Sequence, residues 1–189
     1  MKKDRFVAFF DAIMAIIMTI AVLEFAQPPG VKWSDLKHLG FQVLVYALSF
    51  FWLGMMWISI HNLWNHVEYI SRGVMVINLI MLFFSSMIPF LVIYVGQNFR
   101  ESVPQILYGL DVICITICNY ISSELLSRHN KYRESELKSL RLLTVIDICI
   151  KSIGFIIGIT VYPPAIMISV FIAIILLFIN YLLLKKKTQ

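Results

Sequence analysis

Charge is scarce in this sequence. Asp, Glu, Lys and Arg together make up 14% of its 189 residues, against roughly a quarter in an average soluble domain. That shortage excludes a chain kept disordered by its own charge, and it argues against an ordinary water-soluble enzyme. Cysteine is nearly absent. Cys114, Cys118 and Cys149 all lie inside apolar stretches, and no Cys-x-x-Cys pair is present, so they read as buried thiols and not as redox or metal ligands. No Gly-rich phosphate loop occurs, and no Ser/His/Asp set falls at one depth. His61 and His66 are five apart, which is not a zinc spacing. Neither a metal nor an organic cofactor is therefore expected.

Apolar residues, by contrast, are 60% of the chain, and the mean hydropathy is +0.84. A helix crossing the hydrocarbon core needs about 20 apolar residues. Six stretches meet that length, at about 6–25, 39–60, 74–95, 103–126, 142–161 and 163–184. They use most of the chain and leave no room for a second soluble domain, so residues 1–189 read as one six-helix unit. Gln27-Pro28-Pro29-Gly30 ends the first stretch, and Tyr162-Pro163-Pro164 separates the fifth from the sixth, since proline offers no donor and discourages helix before it. The last two helices should thus form a tight hairpin. The first stretch has a basic start but holds Asp11 and Glu24 and lacks a clean Ala-x-Ala site, so it reads as a retained helix and not a cleaved signal.

The formal charge of +5 is a topology signal before it is a hint of nucleic acid, and no nucleic-acid partner is expected. Lys2, Lys3, Arg5, Arg72, Arg128, Lys131, Arg133, Lys138, Arg141, Lys185, Lys186 and Lys187 fall on one side of a six-helix chain. Only Lys32, Lys37 and Arg100 fall on the other, with Lys151 inside a helix. A split of twelve to three predicts that both termini are cytoplasmic. The basic connection between the fourth and fifth stretches also faces anionic lipid heads, as a plain positive-inside anchor or as a lipid contact.

Ionisable groups inside a bilayer are costly and normally face the bundle interior. The candidates are Asp11, Glu24, His61, Asp111, Glu124, Asp147 and Lys151. Asp147 and Lys151 are four apart and share a helix face. They read either as a self-neutralising pair or as a relay for protons or substrate. Asp111 is expected near an interface and Glu124 in water. On the first helix, Ile16, Ile20 and Leu23 fall within about 60° of arc, and Asp11 points about 140° away from Ile16. One face is thus aliphatic while Asp11 reaches a neighbouring helix. Ala8, Ala12 and Ala15 permit close helix approach. Trp57 and His61 share a face of the second helix. Asp11, His61 and Asn78 lie at compatible depths for one polar network.

Arg5-x-x-x-Phe9-x-Asp11-Ala12, the aliphatic run after it, Trp57 with His61, Asn78-Leu79 and Pro89-Phe90 together resemble the transmembrane protein 175 family of lysosomal and prokaryotic potassium channels. The likeness covers about the first half of the chain. The family signature is Arg-x-x-x-Phe-Ser-Asp, and here Phe10 replaces the serine and removes a hydroxyl from the surroundings of Asp11. The resemblance implies a multi-pass, all-α protein of a prokaryotic plasma membrane. It implies a homotetramer in which the first helix of each subunit lines a central pore. It places the pore constriction at Ile16, Ile20 and Leu23, with Thr19 as a pore-lining hydroxyl. Glu24, closing the first stretch, then falls near the outer mouth, where it reads as a cation-concentrating group or as a solvated rim carboxylate. A structural network falls on Arg5, Asp11, Trp57, His61 and Asn78. The implied partners are a second copy of the chain and membrane lipid, and potassium is the implied permeant ion. The Thr-Val-Gly-Tyr-Gly filter is missing, which excludes selection by a carbonyl ring. A proton- or ion-coupled secondary transporter using Asp111, Asp147 and Lys151 is the alternative. No repeat relates the two halves of the sequence, as many such carriers require.

Overall fold

The computed structural model describes residues 3–25, 27–28, 30–65, 67, 69–129 and 134–187, without the side chains at 34, 38, 129, 134–141 and 180–187. Lys2, Pro29, His66, Lys131 and Arg133 therefore lie outside the described residues. For His38, His129, Lys138, Arg141, Lys185, Lys186 and Lys187 only the backbone is described.

The described residues are helical with short connections. They form α1 (Lys3–Ile20), α2 (Gly40–Asn65), α3 (Arg72–Ser85), α4 (Ile88–Gln97), α5 (Ser102–His129), α6 (Glu134–Thr160) and α7 (Ala165–Lys187). Two 3-10 segments, Ala21–Glu24 and Trp33–Leu39, follow α1 and precede α2. Five runs are long and apolar enough to cross a membrane: Lys3–Glu24, Asp35–Asn65, Arg72–Gln97, Ser102–Arg128 and Leu142–Thr160. A sixth apolar run, Ala165–Ile179, is shorter and lies within α7.

The third stretch departs from the sequence expectation. It reads as one helix but folds as two, broken at Ser86 and Met87. Pro89 has no N–H to give to the carbonyl of Ser85, and its ring crowds that carbonyl. The backbone tightens instead. The N–H of Met87 reaches the carbonyl of Phe84 at 2.9 Å, and the Ser86 hydroxyl donates to the carbonyl of Phe83 at 2.6 Å. The new helix then starts with proline in its first turn, where the missing donor costs nothing. Ser71 caps the preceding helix by accepting from the N–H of Val74 at 3.4 Å.

Apolar helices in lipid gain little from burying apolar surface, so close packing and polar contacts must hold them together. Gly96 on α4 lies against Gln42 on α2, where an added Cβ would sit 2.6 Å from the Gln42 Cα. Gly154 and Gly158 let α6 press on Ser169 and Ile166 of α7, and the expected hairpin of these two helices is present. Ser49 of α2 meets Tyr108 of α5, hydroxyl to hydroxyl, at 2.9 Å. At one end of the bundle, Lys3 Nζ donates to the carbonyl of Val67 at 2.6 Å, and Gly73 faces Leu125. That end therefore holds the start of α1, the α2–α3 connection and the end of α5, with Lys3, Arg5, Arg72 and Arg128 near it. At the opposite end Phe41 stacks on Phe99 with ring centroids 4.5 Å apart.

Candidate functional site

α1 has two faces of different fate. Phe6, Phe10, Met14, Ile17 and, just beyond, Ala21 are buried, at steps of three and four that trace one stripe of the helix. This stripe packs into the bundle. Phe10 stands edge-on to Trp64 at 4.9 Å, and Phe6 is tilted against the same ring at 5.7 Å. The position where the family has serine is thus a fully buried aromatic anchor. Trp64 Nε1, buried beneath these rings, has no hydrogen-bond partner.

The other face is free. Phe9, Ala12, Ile16, Thr19, Ile20 and Leu23 are exposed, and Ile16, Ile20 and Leu23 are 60%, 40% and 79% accessible. None of the described residues covers this aliphatic stripe. The exposed Ala8, Ala12 and Ala15 border it and leave room for another helix backbone. The Thr19 hydroxyl donates back to the carbonyls of Ala15 at 2.9 Å and Ile16 at 3.2 Å. Its single proton is therefore engaged, and its lone pairs face outward. Glu24 is exposed at the end of the 3-10 segment.

Asp11 leaves this face and turns to α2, where its Oδ1 accepts from Trp57 Nε1 at 2.8 Å. The His61 ring lies 5.2 Å from that of Trp57, tilted by 31°. The structure thus brings Asp11, Trp57 and His61 together. Asn78 is placed elsewhere. Its Nδ2 donates to Ser122 Oγ of α5 and to the carbonyl of Val74, both at 2.7 Å, so it ties α3 to α5. Among the described contacts none joins Asn78 or Arg5 to Asp11, and Arg5 is exposed.

A second polar cluster lies inside the bundle. Lys151 Nζ donates to Asp147 Oδ2 at 2.7 Å and to Thr116 Oγ1 of α5 at 2.9 Å. It also sits 4.6 Å above the Trp52 ring of α2. The i, i+4 spacing pointed to the pair, but Thr116 and Trp52 come from other helices and had no signal in the spacing. Asp111, expected near an interface, is buried with Oδ2 unpartnered. Glu124 is partly exposed and paired with Arg128 at 3.5 Å. Among the described residues no three His, Cys, Asp or Glu side chains are grouped to hold a metal.

A bundle whose described residues are helical, with several apolar spans, defines a multi-pass membrane protein. Residues 5–89 match the family described as endosomal/lysosomal potassium channel TMEM175. A protein named potassium channel from Chryseobacterium sp. (strain P1-3) is 30% identical over 146 residues, covering 71% of this chain and 76% of that protein. Another potassium channel, from Streptomyces collinus, is 28% identical over 104 residues, covering 53% and 50%. The fold is similar to the crystal structure of a lysosomal potassium-selective channel TMEM175 homolog from Chamaesiphon minutus. The TM-score is 0.70 at 16% sequence identity, over 99% of this chain and 98% of that one. The chain belongs to the TMEM175 family, which is a family of ion channels and not of enzymes.

Proposed function

We propose that the protein is a potassium-preferring, leak-type cation channel of a prokaryotic plasma membrane. Four copies assemble around a central pore lined by α1. Each subunit crosses the membrane six times with both termini in the cytoplasm. The observation that carries this reading is the bare stripe of Ile16, Ile20 and Leu23 on a helix whose opposite face is fully packed.

In this reading Ile16 forms the narrowest ring and holds the pore shut by dewetting. Opening requires the α1 helices to turn or splay until the ring admits a wet or partly dehydrated ion. Selection then rests on dehydration. Potassium sheds water more easily than sodium, which yields a modest preference. The outward lone pairs of Thr19 compensate a partly dehydrated cation, and Glu24 concentrates cations at the outer mouth. The bond from Trp57 to Asp11, with His61 beside the Trp57 ring, holds α1 at its angle to the bundle. The basic positions gathered at one end give the charge bias that orients the protein, and the channel needs no cofactor.

The test is ion flux through purified protein in liposomes under an imposed potassium gradient. Uncoupled potassium flux that exceeds sodium flux and changes in Ile16→Asn is the expected result. Flux that requires a proton gradient and saturates at low ion concentration would instead support a coupled transporter using Asp111, Asp147 and Lys151.

A further inference from the structure

The interior cluster around Lys151 is built from α2, α5 and α6, without α1. It borders a cavity of about 60 Å³ between α2, α5, α6 and α7, lined among others by Trp52, Ser59, Thr116, Ser123, Asp147 and Lys151. The hydroxyls around it share one orientation. Ser59 donates to the carbonyl of Met55 at 3.0 Å, Thr116 to that of Val112 at 2.8 Å and Ser123 to that of Asn119 at 2.9 Å. Each has thus engaged its only proton on its own helix, which leaves oxygen lone pairs for the cavity. Asp147 adds a carboxylate that is 5% exposed, and its Oδ1 has no partner. Trp52 adds the negative face of an indole ring. Acceptors from three helices therefore surround one volume, and what they demand is a cation.

The chain supplies that cation itself. The Lys151 side chain is 2% exposed, and its ammonium touches the carboxylate of α6, the hydroxyl of α5 and the indole of α2. An intrahelical ion pair needs only Asp147 and Lys151. The convergence of two further helices on the ammonium is what marks a coordination site. We propose that this is a site for a large monovalent cation, of the size of potassium, rubidium or ammonium, whose resident is the tethered ammonium of Lys151. The tether joins α2, α5 and α6, and it denies the subunit interior to free ions of the same size. The inference stands on these contacts alone and is independent of the pore.

The test is Lys151→Ala, purified in potassium chloride and then exchanged at constant ionic strength into rubidium, ammonium or N-methyl-D-glucamine salts. The last of these cations is too large for the site. Thermal unfolding is followed in each salt, beside the wild-type protein and the double variant Asp147→Asn/Lys151→Ala. The expected result is a melting point about 4 °C or more higher in potassium, rubidium or ammonium than in N-methyl-D-glucamine. This rise exceeds that of the wild type, and the double variant loses it. A rise no larger than in the wild type overturns the proposal, and so does an equal rise in the double variant. If Lys151→Ala yields no folded protein, Lys151→Ser, too short to fill the space between Asp147 and Thr116, is carried through the same exchange and judged by the same two criteria.

Discussion

At the scale of single residues, one side-chain hydrogen bond, from Trp57 to Asp11, adds to the aromatic packing of α1 on α2. Trp57→Phe keeps the ring beside His61 but removes the donor to Asp11. The carboxylate then faces the bundle without its partner, and the expected loss is about 1.5–3 kcal/mol. A denaturation midpoint within error of the wild type would show that the bond contributes nothing. Ile16 is the opposite case, because most of its side chain is exposed in the subunit. Ile16→Asn should leave thermal unfolding of the assembly within a few degrees of the wild type. In single-channel recordings it should raise conductance severalfold and lower the preference for potassium, because an amide ring wets what an isoleucine ring keeps dry. Unchanged currents in a correctly assembled variant would remove Ile16 from the gate.

At the scale of helices, small residues decide where the backbones meet. Gly154 on α6 faces the Ser169 side chain and lies 3.1 Å, measured from an added Cβ, from the carbonyl of Ala165. At Gly158 the same atom would lie 2.5 Å from Ile166 Cγ1. Gly154→Ala should therefore push α7 away and destabilise the subunit by about 1–3 kcal/mol, read as a lower melting point in detergent. No change would mean that the hairpin yields there without loss. Phe10 works by volume and not by contact distance. Phe10→Ala leaves a hole beneath Trp64, and the expected cost is about 3–5 kcal/mol, measurable in the same assay. The break at Ser86 and Met87 belongs to this scale too. Pro89 and the serine pair are visible in the sequence, yet hydropathy runs unbroken across them, so the stretch reads as one helix.

At the scale of the whole molecule, the exposed face of α1 bears on assembly. This helix carries an aliphatic stripe that lipid or another subunit must cover, and the bordering alanines suit a close helix partner. Native mass spectrometry of the detergent-solubilised protein should give four times the 21.9 kDa chain mass. A monomer or a dimer would remove the central pore. Asp11→Ala and His61→Ala should both shift that distribution towards smaller species, the first because it removes the acceptor for Trp57 and the second because it removes the ring beside Trp57, so that the face α1 offers is less firmly set. If both variants stay tetrameric and as heat-stable as the parent, the Asp11–Trp57–His61 contact does not position α1.

Much of this protein follows from hydropathy and spacing. Apolar runs near the thickness of a bilayer specify membrane helices because buried backbone must bond within its own segment. The prolines after the first and fifth runs mark ends, and the period of α1 separates Asp11 from Ile16. The pairing of Asp147 with Lys151, and that of Trp57 with His61, were legible for the same reason, since both partners lie four apart on one helix. Contacts between helices were not legible. Depth made Asn78 a fit partner for Asp11 and His61, but depth carries no azimuth, and the side chain turns to Ser122. Thr116 and Trp52 reach Lys151 only because the bundle sets α2 and α5 around α6. What lies along one helix is dictated by its local geometry. What meets across helices is decided by rotation about each axis, and only the packing of the whole bundle sets that angle.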